Sequence, residues 1–187
     1  MEKIIRLRPP LEDAKVRDLT AGDWVEVSGI IYTARDAALR RLCEEFAQNG
    51  KLPFSLHRQI IYFMGPTPAR PGSVIGAAGP TTAGRMDAYA PQLLEWGLKG
   101  MIGKGEMGPK VAEALQKYGA VYMAAIGGAG ALMARSIRSS RVIAYEDLGP
   151  EAVLELTVEN MLVLVAQDSR GGNAFINGRN AYAVTAR

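Results

Sequence analysis

Three cations stand where an apolar, strand-like run gives way to a helix-like one: Arg35 in "YTARDAALRRL", Arg85 in "GPTTAGRMDAY" and Lys104 in "GKGEMGP". A guanidinium presents a planar fork that fits a carboxylate or phosphate, and an ammonium presents a compact point charge. Around Arg85 the chain runs Gly79, Pro80, Thr81, Thr82, Ala83, Gly84. These residues are small enough for a ligand to reach the backbone, and the threonine hydroxyls can donate or accept. In layered α/β proteins ligands gather where strand ends meet helix starts. The pattern therefore points to an anion carrying two acidic groups. Spacing alone leaves a plainer reading open, in which each cation is a solvated turn residue and Asp87 caps a helix.

The segment Gly103 to Gly108 satisfies G-x-G-x-x-G, yet it lacks what a dinucleotide site needs. No acidic residue lies between Tyr122 and Met133, where one would hold the ribose, and Lys104 is followed by Gly105 instead of the Ser or Thr of a phosphate loop. What survives is a glycine-rich turn before Pro109, whose free N–H groups and positive dipole end lie beside Lys104. His57 reads as a surface residue. Cys43, at helical spacing with Leu39, Leu42 and Phe46, reads as a small core thiol. Gly127-Gly128-Ala129-Gly130 reads as a site of close packing, Glu146 and Asp147 as turn residues, and Asp168 to Asn173 as an ordinary polar loop.

Something must hold those junctions in place, and 187 residues suffice for one domain with a substantial core. The expected extent is a single domain over residues 1–187. With 48% hydrophobic and 22% charged residues the composition is globular, and its apolar runs are too short for a membrane helix. The start, MEKIIRLRPP, turns polar too soon for a secretory signal, which makes a cytoplasmic location the default. One cysteine and one histidine form no disulfide and supply too few ligands for an ordinary zinc or iron–sulfur site, so no metal is expected on this chain. A net charge of +3 spread along the chain, with only 7% aromatics and no nucleic-acid-binding motif, argues against a nucleic-acid partner.

The periodicity predicts strands at Asp23 to Ile31, Gln59 to Met64, Gly72 to Ala78, Lys99 to Ile102, Ala120 to Ile126, Val142 to Tyr145, Val153 to Leu156 and Met161 to Gln167. It predicts helices from Arg35 or Asp36 to Gly50, Asp87 to Gly97, Pro109 to Tyr118 and Ala129 to Ile137. Alternation through the middle and strand-rich ends give an α/β class with a mixed sheet.

Several stretches, "YTARDAALRRL", "IYFMGPTP", "GPTTAGRMDAY", "LLEWGLKGMIGKGEMG", "GGAGALMARSI" and "VIAYEDLGPEAV", resemble the β subunit, or carboxy-terminal domain, of class I fumarases and the related tartrate dehydratases. The similarity runs in register from about Leu19 to near the end. It implies a single-domain swivelling β/β/α fold with a mixed sheet and flanking helices. It also implies an oxygen-sensitive 4Fe–4S cluster held by three cysteines of an α subunit, not by this chain. The family's carboxylate-binding arginines fall on Arg35 and Arg85, its glycine-turn lysine on Lys104 and its acid–base threonine on Thr81. Two positions depart from the family pattern: Leu39 stands where many members have histidine, and Glu106-Met107-Gly108 follows the Lys-Gly pair. "TTAGRM" looks more like the fumarase version, so the implied reaction is reversible hydration of fumarate to malate, with tartrate dehydration as the alternative. The implied assembly is a hetero-oligomer with the α subunit, or a homodimer when the chain is isolated. A stand-alone module binding a dicarboxylate or phosphorylated metabolite is the competing reading.

Overall fold

The computed structural model describes residues 4–183. In chain order these form β1 (Ile5–Leu7), α1 (Asp13–Asp18), β2 (Trp24–Thr33), α2 (Asp36–Asn49), β3 (Ile60–Tyr62), a 3-10 turn (Ala83–Met86), α3 (Ala90–Glu95), β4 (Gly100–Gly103) and α4 (Pro109–Tyr118). Then follow β5 (Val121–Ala124), α5 (Gly130–Arg135), β6 (Ile137–Ala144), a 3-10 stretch (Glu146–Glu151), β7 (Val153–Gln167) and α6 (Ala174–Tyr182). The strands make one mixed sheet in the order β1-β2-β3-β4-β5-β7-β6. Neighbours from β1 through β5 are parallel, while β7 runs antiparallel to β5, β6 and β2. Because β7 pairs with both β2 and β5, the strands from β2 to β5 close into a ring through it.

Closure explains why the central strands read as continuous apolar runs. Successive side chains of a strand point to opposite faces, and here both faces are covered. Ile60, Tyr62, Ile102, Val121 and Met123 join Val25, Val27 and Val163 in one apolar core. The alternate residues Ile61, Phe63, Met101 and Tyr122 pack with Leu39, Leu93, Val111 and Leu115 of the helices in a second core. Leu39 is fully buried there, so an apolar residue suits a position where the resemblance suggested histidine. Cys43, one turn on, is only half-buried, at the edge of that core instead of inside it.

The boundaries differ from the sequence reading where polar residues have an unexpected role. The two strands expected at Val153 to Leu156 and Met161 to Gln167 are one: the intervening Glu159 and Asn160 lie opposite an irregularity at Val27 to Gly29, and the Asn160 N–H donates to Ser28 Oγ at 2.9 Å. β6 starts earlier than expected because Arg138, Ser139 and Arg141 pair across it with Glu159, Thr157 and Glu155, a polar face on an edge strand. The segment from Gly72 to Ala78 is not a strand. It belongs to a loop whose neck is closed by Thr67, whose N–H donates to Ala77 O and whose Oγ1 accepts from Ala77 N. The helix expected from Asp87 begins at Ala90, with Pro91 in its first turn, and β1, α1 and α6 lie outside the elements the periodicity predicted.

Asp168 is not part of an ordinary loop. Only 3% exposed, its carboxylate accepts from the N–H groups of Ala21, Arg170 and Gly172 at 2.8 to 2.9 Å, tying the end of β7 to the entry of β2. Burial pushes its pKa up, but the three N–H donors and Arg170 outweigh that, and it lies below the usual carboxylate value. Asp168→Asn, which turns an N–H toward these donors, should cost about 2–4 kcal/mol in a denaturant titration at neutral pH. A depressed folded pKa stabilises the fold above the unfolded-state value, so the wild-type advantage should be complete above about pH 4 and vanish as pH falls through the lower folded value.

Candidate functional site

Since β2 to β5 are parallel, their carboxyl ends share one rim, and each gives way there to a loop. Arg35 follows β2, Phe63 and Met64 follow β3, Lys104 follows β4, and Gly127-Gly128 follow β5. The stretch from Pro80 to Ala83 is threaded between the ends of β3 and β4 as a short extra rung. The Thr81 N–H donates to Phe63 O at 2.7 Å, Thr81 O accepts from Lys104 N at 3.0 Å, and the Ala83 N–H donates to Lys104 O at 2.8 Å. Thr81 and Lys104 are thus fixed as backbone neighbours. Two buried tyrosines pin the flanking loops from below: the Tyr62 hydroxyl donates to Ala78 O at 2.6 Å and the Tyr122 hydroxyl to Gly105 O at 2.8 Å. Burial drives both phenol pKa values well above the ordinary range, so both stay protonated donors.

The two arginines meet over one carboxylate. Arg85 Nε donates to Asp36 Oδ1 at 2.9 Å and its Nη2 lies 2.9 Å from Oδ2, while Arg35 Nε stands 4.0 Å from the same Oδ2. Arg35 is held from another direction by Glu151. One oxygen of that carboxylate lies 3.3 Å from Arg35 Nη2, and the other accepts from the Ala37 N–H at 2.9 Å, satisfying a free donor in the first turn of α2. Gly65 lets the side chain pass: a Cβ there would come within 2.6 Å of Pro150 O and 2.9 Å of Arg35 Cδ and Nη1. Lys104 is exposed, and its stem lies against Gly127 on the β5 side. The rim therefore presents two oriented guanidiniums, an exposed ammonium and a threonine at the strand ends, a set suited to an anion with acidic groups at both ends.

Residues 1–178 match the family described as fumarase C-terminus. The chain belongs to that family. It is 39% identical over 166 residues to a protein of Methanocaldococcus jannaschii provisionally named L(+)-tartrate dehydratase subunit beta, covering 86% of this chain and 85% of that one. It is 33% identical over 175 residues to the aerobic class I fumarate hydratase of Escherichia coli K12, and 30% identical over 175 residues to fumarate hydratase 2 of Leishmania major. Those matches cover 91% of this chain but only 32% and 31% of the two hydratases, so the chain spans about a third of their length.

Within this family member the tail of the glycine-rich turn serves the fold. Glu106 accepts from Asn173 Nδ2 at 2.8 Å and from Arg179 Nη1 at 3.1 Å, which ties the turn to α6 and keeps its carboxyl below the usual range. Met107 is buried, and its N–H and C=O are both bonded by the Gln167 side-chain amide at 3.1 Å. Asp87 caps a helix, but not its own: its Oδ2 accepts from the N–H of Gly108, the residue before α4, at 3.0 Å. A Cβ on Gly108 would sit 2.6 Å from that oxygen, and this contact, not a phosphate, explains the last glycine of the motif. Burial raises the Asp87 pKa, partly offset by the Gly108 N–H. A cavity of about 510 Å³ lies beside this turn, lined by Asp87, Glu106, Gln167 and Asn173 among others, and it includes none of Arg35, Thr81, Arg85 and Lys104.

Iron–sulfur clusters are bound by several cysteine thiolates. This chain has only Cys43, half-buried on α2 with burial raising its thiol pKa, so its residues do not fit such a cluster. Among the residues missed in the sequence, Asp36 and Glu151 lie within two of the stretches that carry the resemblance, yet nothing in their type or spacing singles them out; Asp36 is simply the residue after Arg35. Gly65→Ala should displace Arg35 and lower stability by about 1–3 kcal/mol, the usual cost of overpacking, seen as a fall in the thermal midpoint.

Proposed function

We propose that this chain is the β subunit of a two-chain, iron–sulfur-dependent hydro-lyase that interconverts fumarate and L-malate. The observation that carries this reading is the meeting of Arg35 and Arg85 at the strand-end rim of a member of the fumarase C-terminal family. In this reading the arginines and Lys104 bind the substrate carboxylates and stabilise the charge that builds on one of them as the carbon-bound proton leaves. Thr81 serves in proton transfer, activated by a group outside this chain, since a free threonine hydroxyl is a weak base near neutral pH. The cluster belongs to an α subunit. An apolar residue exposed at the rim is consistent with a partner there: Ile126 is 64% exposed next to Gly127. A second reading, L-tartrate dehydration by the same arrangement, is favoured by the match to a protein named as a subunit beta along 85% of that protein's length.

Co-expression with a three-cysteine partner chain under anaerobic conditions tests the assembly. The pair should co-purify and hydrate fumarate, and this chain alone should not; fumarate hydration by the pure, metal-free chain would overturn the proposal. In the assembled enzyme Thr81→Val should lower kcat by about 10²- to 10⁴-fold with far less change in KM, and Thr81→Ser should restore most of it. A near-normal kcat in the valine variant removes Thr81 from proton transfer.

A further inference from the structure

We propose that Asp36 is the positioning residue of Arg85: it binds the side-on edge of the guanidinium and leaves the end-on edge to face a carboxylate ligand. The inference rests on the reading of Arg85 as a carboxylate ligand and deepens it. Arg85 projects from a single 3-10 turn, Ala83–Met86, and its side chain is 51% exposed. Neither feature can hold a long, rotamer-rich side chain in one geometry. Asp36 can, because it is the first residue of the fourteen-residue α2, where the helix dipole also favours a carboxylate. Both contacts use the same edge, a hydrogen bond from Nε to Oδ1 at 2.9 Å and an ion-pair approach of Nη2 to Oδ2 at 2.9 Å, where Oδ2 accepts no hydrogen bond. Neither Nη1 nor Nη2 donates a hydrogen bond to any of the described residues, and together they form the end-on fork of the guanidinium. The 4.0 Å approach of Arg35 Nε to Asp36 Oδ2 makes the same carboxylate a spacer between the two guanidiniums, which would otherwise repel each other. The contrary role is a competitor, an internal anion that a ligand must displace from Arg85. The two differ in sign, because removing a positioning residue weakens binding whereas removing a competitor strengthens it.

The test is a double-mutant cycle in the assembled enzyme with Asp36→Asn, Arg85→Gln and both together. Asp36→Asn should raise KM for the dicarboxylate about tenfold with kcat within about twofold, and the double variant should be no worse than Arg85→Gln alone. An unchanged or lower KM in Asp36→Asn, or additive effects, would overturn the proposal. The functional reading fails separately, if Arg85→Gln leaves turnover intact; a large effect of Arg85→Gln with none from Asp36→Asn sinks only the role of Asp36. A measurement on the unaltered chain covers the case in which Asp36→Asn does not fold. The Arg85 Nε–H should give a proton–nitrogen NMR signal protected from solvent exchange, and rapid exchange of that proton would show that Asp36 does not hold it.

Discussion

The pairing of β7 with two strands at once is the constraint on which the rest of the structure depends. Along one edge β7 runs beside β2 from Glu155 to Leu164, and along the other it meets β5 from Leu164 to Gln167. A sheet closed in this way has no open edge between β2 and β5, and β3, β4 and β5, which helices also cover, are apolar on both faces, whereas β2 alternates and carries Glu26, Ser28 and an exposed Ile30. The two cores follow directly, one within the ring and one beneath the helices. So does the rim, because only the ends of parallel strands remain available to loops that carry polar side chains.

What fixes the two ends of the sheet is a set of polar groups buried for a single purpose each, the tyrosines at the rim and Asp168 at the opposite end. Tyr62 and Tyr122 donate upward into the loops that follow β3 and β4, Gln167 clasps both backbone groups of Met107, and Asp168 collects three N–H donors. A buried polar group without a partner is costly, so each of these residues is held by its partner as firmly as it holds it. Gln167 and Asp168 lie at the end of β7 or just beyond it, which links the clamps to the same closure.

Charge is arranged in the opposite spirit. Glu151 and Asp36 neutralise Arg35 and Arg85 while leaving N–H donors unused, and Lys104 stands exposed on the next strand end. A cation held by an acid on one side and open on the other is pre-oriented without being consumed.

The residue types at the junctions drew attention to Arg35, Arg85 and Lys104 and the family resemblance to Thr81, and periodicity was enough for the α/β class, α2, α4 and the middle strands. Those features depend on neighbours in the chain: side-chain period, glycine and proline stops, and cations beside helix starts. The length of β7, the buried role of Asp168 and the capping of α4 by Asp87 were not legible, because in each the partner lies far away in sequence. Glu151 reaches Ala37 across 114 positions and Asp168 reaches Ala21 across 147. Asp36 looked like the first residue of a helix and nothing more until Arg85, 49 positions on, was folded onto it. Local sequence thus determined which groups could bind an anion, while the tertiary strand order decided which of them share a carboxylate, since the parallel pairing of β2 with β3 and of β3 with β4 is what brings the ends of β2 and β4 to one rim.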